Sequence, residues 1–502
     1  MTQLPDGPDL READTHGIAP VARLRSAIPG LDQVLGGGFF RSGVYIVQGL
    51  PGCGKTIFAN QICYGHVAEG GSAVYVTLLA ESHSRMIQHL STLDFFDVKA
   101  FPDRLAYISA FHDLESGGLK GLMAVLRREM RARKVGVLVL DGLVAASEAA
   151  PTDLDLKKFI HELQSIAVLQ DCTVLMLTSG NMHRTHAEHT MVDGLIELED
   201  KLYEARSERS IQVRKFRGAG PLRGKHVFRI DHRGITIFPR FESIHSTGQE
   251  DAMAGGATPS GVPTLDLLMA CRGLPLGSCT VALGSSGTGK TTLGIHFLAG
   301  STPVEPGLHL SFFEGPARLR AKAASLGRPL EPLEAEGTVQ LLWQAPGEAL
   351  MDELADRILR EVERRGVKRL VIDGLAGFLD AALFPERLNR FFSCLATELR
   401  RRGVTSLMTL ETRDVVSSVV TMPLGISALV DNLLFLRFVH DEGAVERLLT
   451  VIKMRDTDYR AGLHQLHIGT EGMSIAGMYS ADGDVIPSAE PVAPVRDGGA
   501  PR

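Results

Sequence analysis

Short apolar segments alternate with amphipathic ones along most of the chain. Val44–Gln48, Ala73–Leu79 and Val135–Leu140 are apolar runs of strand length, which is typical of strands buried on both faces. Strands that alternate with helices predict an α/β fold, with a mostly parallel sheet flanked by helices. Apolar residues at helical spacing lie between the last two runs and again further on: Leu122, Val125, Leu126 and Met130, then Leu350, Leu354, Ile358 and Val362.

The chain contains an internal duplication. Several landmarks recur in the same order about 235 residues later. A repeated order with nearly constant spacing predicts two homologous domains. The matching pairs are Pro29–Gly43 with Pro263–Ser278, Gly49–Thr56 with Gly284–Thr291, Leu138–Leu143 with Leu370–Leu375, and Arg214–Gly218 with Ile452–Asp456.

Composition indicates where these domains begin and end. Residues 242–258 are polar and rich in small side chains, as a linker is. Residues 1–20 and 480–502 have little apolar content, which predicts a flexible N-terminal tail and a disordered C-terminal tail. The sequence therefore predicts a first domain at 21–241 and a second at 259–479.

Each half carries the pattern G-x-x-x-x-G-K-[ST] between an apolar run and a helical segment. Its glycines let main-chain N–H groups converge on phosphate oxygens at a helix N-terminus, and its lysine neutralises the β- and γ-phosphates. One copy alone also fits a flexible turn, but two copies in a duplication predict two ATP-binding loops. The predicted binding residues are Gly49, Gly52, Gly54, Lys55 and Thr56, and Gly284, Gly287, Gly289, Lys290 and Thr291.

Two aspartates are candidates for binding magnesium. Asp141 and Asp373 each end an apolar strand, as a Walker B aspartate does. An aspartate at a strand end is also a common turn or cap residue, but their matching places after each loop favour the metal interpretation. We predict that Thr56 with Asp141, and Thr291 with Asp373, hold Mg²⁺.

Two glutamates are candidates for activating a nucleophile. Glu81 and Glu314 follow the second predicted strand of each half. A carboxylate there reaches the γ-phosphate and orients or deprotonates the attacking group. A solvated surface glutamate is the alternative.

The segment Pro29–Thr56, the strand-end glutamates, the Walker B segments and two K-x-R motifs together resemble the KaiC family of the RecA-like superfamily. The resemblance implies two tandem RecA-like P-loop NTPase domains, commonly in hexameric rings with ATP between neighbouring subunits. It also implies that the motif cations, Lys215 with Arg217 and Lys453 with Arg455, reach the γ-phosphate of the adjacent subunit. Cations supplied in this way stabilise the transition state only after assembly. On its own, K-x-R also fits an exposed strand edge or a nucleic-acid contact.

The chain departs from the family pattern in three respects, one of which is a C-terminal tail without a clear helical segment for a clock partner. The family usually has two adjacent glutamates at the strand end, and Ala80 and Phe313 replace the first of them. The family's clock protein phosphorylates a Ser–Thr pair in its second half; here Ser427 matches the serine, but Ala428 replaces the threonine. A two-site phosphorylation cycle is therefore excluded at this pair. Ser427 is the first candidate for single-site autophosphorylation, and the nearby Ser417, Ser418 and Thr421 are secondary candidates.

Charge and cysteine content bear on which partners and which compartment the protein has. The 502 residues carry a net charge of −6, which disfavours a generally basic nucleic-acid binder. The six cysteines show no CxxC spacing, which favours free thiols in a reducing cytoplasm. No apolar run approaches the length of a membrane span.

The sequence thus predicts a cytoplasmic, Mg²⁺-dependent, ring-forming ATPase with serine/threonine autokinase activity in its second half. A signalling or clock-type protein is the expected partner. Two alternatives stay open. One is a DNA-dependent recombination ATPase, which the acidic charge disfavours. The other is a nucleotide-gated scaffold with little turnover, which the missing first glutamates favour.

Overall fold

A computed structural model describes residues 22–78, 83–179, 188–203, 206–245, 255–345, 347, 349–412, 430–441, 444–479 and 485–487. The chain divides into two compact units, Met1–Pro239 and Arg240–Arg502. Each unit is built on one large sheet. None of the helices in the described ranges is both long enough and apolar enough to cross a lipid bilayer.

The sheet of the first unit has nine strands in the order β11-β10-β9-β8-β3-β7-β6-β4-β5. Neighbouring strands are parallel from β8 to β5 and antiparallel from β8 to β11, and β1 pairs with β2 separately. The strands are β1 (Arg23–Leu24), β2 (Phe39–Phe40), β3 (Val44–Gln48), β4 (Ala73–Thr77), β5 (Leu105–Ser109), β6 (Val137–Asp141), β7 (Thr173–Thr178), β8 (Gly194–Tyr203), β9 (Arg206–Phe216), β10 (Lys225–Asp231) and β11 (Gly234–Phe238).

Helices cover both faces of this sheet. Tyr45 and Val47 of β3 lie in one hydrophobic core with helix α2. Val44 and Ile46 lie in a second core with α4 and α6. Alternate side chains of a strand point to opposite faces, which explains why the run is apolar throughout. The helices are α1 (Leu31–Val34), α2 (Lys55–Ala68), α3 (His83–Leu90), α4 (Phe111–Arg133), α5 (Leu143–Glu148), α6 (Asp153–Gln170) and α7 (Glu188–Met191), with a 3-10 turn at Val98–Ala100.

The sheet of the second unit repeats this plan with ten strands, in the order β16-β15-β17-β18-β14-β19-β20-β21-β22-β23. It is parallel from β16 to β19 and antiparallel from β19 to β23. Strands β12 (Ala257–Thr258) and β13 (Leu274–Pro275) pair separately. The ten strands of the large sheet are β14 (Cys279–Gly284), β15 (Gly307–Ser311), β16 (Val339–Trp343), β17 (Arg369–Asp373), β18 (Thr405–Glu411), β19 (Asn432–Asp441), β20 (Ala444–Lys453), β21 (His464–Gly469), β22 (Gly472–Tyr479) and β23 (Val485–Pro487).

Two cores again separate the faces of this sheet. Val281 and Leu283 of β14 pack with α13, α14 and α15, while Ala282 packs with α10. The prediction of an α/β fold with a mostly parallel, helix-covered sheet in each half is confirmed. The helices are α8 (Phe241–Ile244), α9 (Pro263–Asp266), α10 (Lys290–Ala299), α11 (Pro316–Ser325), α12 (Glu331–Ala335), α13 (Met351–Arg365), α14 (Ala376–Asp380) and α15 (Leu388–Arg401), with a 3-10 turn at Pro385–Arg387.

Some element limits differ from the sequence pattern. The strand expected at Val135–Leu140 is β6, Val137–Asp141, because Val135 is buried in the turn that follows α4. Strand β23 lies within residues 480–502, where composition predicts disorder, and pairs with Gly477–Tyr479. Main-chain hydrogen bonds form such a pair without many apolar side chains.

Candidate active sites

The first predicted ATP-binding loop lies between β3 and α2, at the carboxyl end of the parallel strands. The Lys55 ammonium donates to the carbonyl oxygens of Gly49, at 2.6 Å, and Leu50, at 3.0 Å. Gly54 has a φ of +103°, and a Cβ there would lie 2.7 Å from Cδ1 of Ile230. Only glycine fits this close, left-handed turn. The loop conformation therefore explains why the sequence motif has a glycine at this position.

The second loop repeats this geometry between β14 and α10. Lys290 Nζ donates to the carbonyl oxygens of Gly284, at 2.8 Å, and Ser285, at 2.7 Å. Burial lowers the pKa of Lys290 below its ordinary value, although the carboxylates of Glu411 and Asp373 oppose the shift. A polyanion bound at this loop would favour the charged ammonium.

Asp141 ends β6, and Asp373 ends β17. In each sheet, one strand separates this strand from the strand that leads into the ATP-binding loop: β7 lies between β6 and β3, and β18 lies between β17 and β14. Tyr75 donates to Oδ2 of Asp141, and Thr409 donates to Oδ1 of Asp373, each at 2.6 Å. Carboxylate and hydroxyl oxygens are the hard donors that Mg²⁺ takes from proteins. Asp141 with Thr56, and Asp373 with Thr291, therefore fit a magnesium ion.

In each half, candidate residues from separate elements line one cavity. In the first unit Thr56 and Asp141 line about 580 Å³ together with Thr77, His83 and Met86. In the second unit the cavity measures about 550 Å³. Its wall includes the loop and the Walker B strand: Gly287, Gly289, Lys290, Thr291, Glu314 and Asp373.

Glu314 lies beside the second loop, just beyond β15. Its Oε1 is 3.7 Å from Lys322 Nζ, while its Oε2 is buried and has no hydrogen-bond partner among the described residues. Phe313, at the place of the family's first glutamate, is 60% exposed, and its ring lies against Gly374. Glu81 lies outside the described residues, as do Ala80 and Ser427.

The sequence model of the family described as KaiC ATPase matches residues 24–242 and again residues 258–479. These matches cover most of the chain and coincide with the two sheets. The chain belongs to the KaiC ATPase family. The predicted tandem RecA-like architecture is confirmed with it.

Curated relatives of this KaiC-family chain match almost end to end. The circadian clock oscillator protein KaiC of Picosynechococcus sp. is 26% identical over 92% of this chain and 91% of its own. KaiC 1 of Synechocystis sp. is 26% identical over 91% and 89%. The circadian clock protein KaiC2 of the same organism is 25% identical over 92% of this chain and 82% of its own.

The first K-x-R motif of this KaiC-family chain lies far from its own loop. Lys215 Nζ donates to the Thr190 carbonyl oxygen at 2.8 Å, and Arg217 donates to the same oxygen at 2.9 Å. Thr190 lies just before β8, near the amino end of β3. The loop follows the carboxyl end of β3. Because β3 is five extended residues long, its two ends lie about 13 Å apart. Within one chain, these cations therefore lie near the amino ends of the parallel strands, and the loop lies at their carboxyl ends.

The second motif has the same position. Lys453 Nζ donates to the Val430 carbonyl oxygen at 2.7 Å, and Arg455 lies 3.6 Å from Oδ1 of Asp431. Oδ2 of Asp431 accepts from the main-chain N–H of Cys279, where β14 begins. Burial and the neighbouring arginine lower the pKa of Lys453. The cations again lie near the amino ends of the parallel strands, whereas their own loop lies at the carboxyl ends.

The sequence analysis did not predict three charged residues that line the second cavity: Lys322, Glu411 and Arg447. Arg447 donates to the Gly287 carbonyl oxygen at 3.3 Å. The internal duplication contains a signal for it, because Arg209 lies at the matching place in the first half. Lys322 and Glu411 belong to no recognised spacing, and only the fold brings them to the loop.

Proposed function

We propose that the protein is a Mg²⁺-dependent ATPase of the cytoplasm, with two nucleotide sites per chain that are completed by neighbouring copies in a ring. The observation that carries this proposal is the convergence, in each half, of a loop lysine, a hydroxyl and a Walker B aspartate at the carboxyl edge of a parallel sheet. Ligands of such sheets bind at that edge. The proposed domains are 21–241 and 259–479.

In each site the chain's own residues have separate roles. The main-chain N–H groups of the loop and Lys55 or Lys290 hold the phosphates. Thr56 with Asp141, and Thr291 with Asp373, hold Mg²⁺, which neutralises charge on the phosphate oxygens when bound. Glu81 and Glu314 orient the attacking water and take up its proton. The buried Oε2 of Glu314, which has no hydrogen-bond partner within the part of the chain that the structure describes, supports that role in the second half.

The ring is supported by the position of the K-x-R motifs. Lys215 and Arg217, like Lys453 and Arg455, cannot reach their own loop across the sheet. A neighbouring copy that presents its motif edge to this loop would bring both cations to the γ-phosphate, where they stabilise transition-state charge. The family's hexameric ring, which the resemblance implies, provides such a contact.

Replacing both loop lysines tests the two sites. We expect Lys55→Ala with Lys290→Ala to abolish nucleotide binding, because the ammonium is the loop's fixed counter-charge for the phosphates. Calorimetric titration with Mg-ATP measures binding, and native mass spectrometry of the same samples measures ring size. Lys120→Ala, at an exposed residue of α4, is the control. Normal ATP turnover in the double variant would refute the site assignments.

Autokinase activity in the second half is a separate proposal, supported by the match of Ser427 to the family's phosphorylated serine. Intact mass measurement after incubation with Mg-ATP is expected to show a single added phosphate, and Ser427→Ala should lose it. Lys290→Ala should lose it as well, whereas Lys55→Ala should keep it. Phosphate addition that persists in Ser427→Ala would place the acceptor elsewhere.

A nucleotide-gated scaffold is the second candidate function. Phe313 favours it, because an aromatic ring against Gly374 cannot supply the carboxylate that the family usually has there. The two functions are separated by measuring ATP turnover of the unsubstituted chain and of the double variant that carries Glu81→Gln and Glu314→Gln. Equal rates would mean that these glutamates are not catalytic and would favour the scaffold.

A further inference from the structure

The two Walker B aspartates are held by different residues on opposite neighbouring strands. In the first unit, Tyr75 of β4 donates its phenolic proton to Oδ2 of Asp141 at 2.6 Å. A hydrogen bond from a hydroxyl to a carboxylate at this distance belongs to the strong, charge-assisted kind. Tyr75 is fully buried, so its ring has little freedom to move away from Asp141.

Asp141 shares its cavity with the other candidate magnesium ligand of the first half. Thr56 and Asp141 both line this cavity. Tyr75 holds the carboxylate of Asp141 and so sets its position relative to Thr56. That position decides whether both side chains can share a small ion with strict octahedral geometry.

The second unit lacks this tyrosine. Ser311 pairs with Asp373 as Thr77 pairs with Asp141, so His309 stands where Tyr75 stands in the first half. Nδ1 of His309 is buried, and this atom has no hydrogen-bond partner in the described part of the chain.

Asp373 is held instead from the other side. Thr409 of β18 donates to its Oδ1 at 2.6 Å and accepts from the main-chain N–H of Gly374 at 2.8 Å. These two bonds tie the carboxylate to the turn that follows β17. In the first half the residue opposite Asp141 on the corresponding strand β7 is Leu177, which has no hydroxyl to donate.

We propose that Tyr75 and Thr409 are the positioning residues of two differently built magnesium sites, each orienting the Walker B aspartate of its own half. This assignment rests on the proposed function, since it takes both aspartates as magnesium-binding. A carboxylate oxygen has more than one lone pair, so accepting a hydrogen bond orients the group and leaves it able to bind the hydrated ion. In this assignment Tyr75 and Thr409 act through the aspartates that they hold.

Removing one hydroxyl at a time tests the assignment in the full-length chain. Lys290→Ala leaves only the first site to bind a fluorescent ATP analogue, and Lys55→Ala leaves only the second. In these backgrounds we expect Tyr75→Phe and Thr409→Val, respectively, to raise the Mg²⁺ concentration for half-maximal response about 10- to 100-fold, as for other residues that orient metal ligands. Binding of the analogue in EDTA should change by less than about twofold, because the phosphates are held by the loop.

Matched controls remove equivalent hydroxyls elsewhere. Tyr45→Phe deletes a buried phenol of the same sheet that bonds the Phe40 main chain. Thr405→Val deletes a buried hydroxyl of β18 that bonds Thr258. Both should leave the Mg²⁺ response unchanged. Adding Leu177→Thr to Tyr75→Phe places a hydroxyl as in the second half and should restore part of the lost response.

The outcomes separate this assignment from the proposed function. If the unsubstituted chain shows no Mg²⁺-dependent binding of the analogue, both are overturned. If the Mg²⁺ response survives unchanged in Tyr75→Phe and in Thr409→Val, or if the controls shift it equally, the positioning role alone is overturned. Thermal unfolding of each variant identifies a general loss of folding, which would lower binding in EDTA as well.

Discussion

The guanidinium of Arg387 lies between two carboxylates of the second unit. Its Nε and one NH₂ group donate to Glu242 at 2.8 Å, and both of its NH₂ groups donate to Asp352 at 3.1 and 2.6 Å. Oδ1 of Asp352 also accepts from the Phe241 main chain at 2.9 Å. A single, largely enclosed cation therefore joins α8 to α13. These contacts hold the start of the segment that composition predicts as a linker.

Burial and pairing oppose each other in this cluster. Burial is the largest single effect on Glu242 and raises its pKa, but the hydrogen bonds and charge of Arg387, together with smaller effects, bring that pKa below its ordinary value. For Asp352, burial dominates, and the pKa is raised despite the same cation. Arg387 lowers the pKa of both carboxyl groups and so opposes the effect of their burial.

We predict that Arg387→Met destabilises the second unit by about 3–5 kcal/mol, because it leaves the buried carboxylate of Asp352 and the largely enclosed carboxylate of Glu242 without their cation. Urea unfolding followed through the fluorescence of Trp343, the one tryptophan of the chain, reports on this unit. Arg390→Met, at an exposed residue of α15, is the control and should change the free energy of unfolding by less than about 0.5 kcal/mol. A similar small change in Arg387→Met would contradict the prediction.

At the scale of elements, the parallel strands were predictable, and their antiparallel extension was not. Val44–Gln48 is apolar at every position but the last because helices cover both faces of β3. In β9, buried Ile211 and Val213 alternate with polar neighbours such as Arg214. Such alternation also fits an isolated surface strand, so the sequence did not indicate that β9 extends the large sheet.

The candidate sites show the same division between local and distant information. The loop residues follow from a short motif, and glycine is required where φ is positive and space is absent, as at Gly54. Tyr75 and Thr409 belong to no motif, since they lie 66 and 36 positions from the aspartates they contact. Only the strand order brings them together, and that order depends on packing over the whole sheet.

At the scale of the whole molecule, the duplication yields two halves of one plan with different details. The sequence predicted the two sheets, because matching landmarks recur at nearly constant spacing. It did not reveal that each K-x-R motif lies at the sheet edge opposite its own loop, since that depends on the direction of strands that are distant in sequence. In the ring that we propose, each nucleotide site therefore takes its cations from a second copy.

Mixing two inactive variants tests this dependence. Lys55→Ala with Lys290→Ala has no working loop, and a variant with alanine at Lys215, Arg217, Lys453 and Arg455 has no cations to offer a neighbour. Each variant alone should lose ATP turnover, the second by about 10³-fold or more, as for other arginines supplied in trans. In mixed rings, intact cations of the first variant would face intact loops of the second, so turnover should return to about a quarter of the normal rate per chain for random equal mixing. Native mass spectrometry identifies the mixed rings. Mixed rings without regained turnover, or full turnover in the cation-deficient variant alone, would contradict a role in trans, because cations acting within one chain cannot be supplied by another.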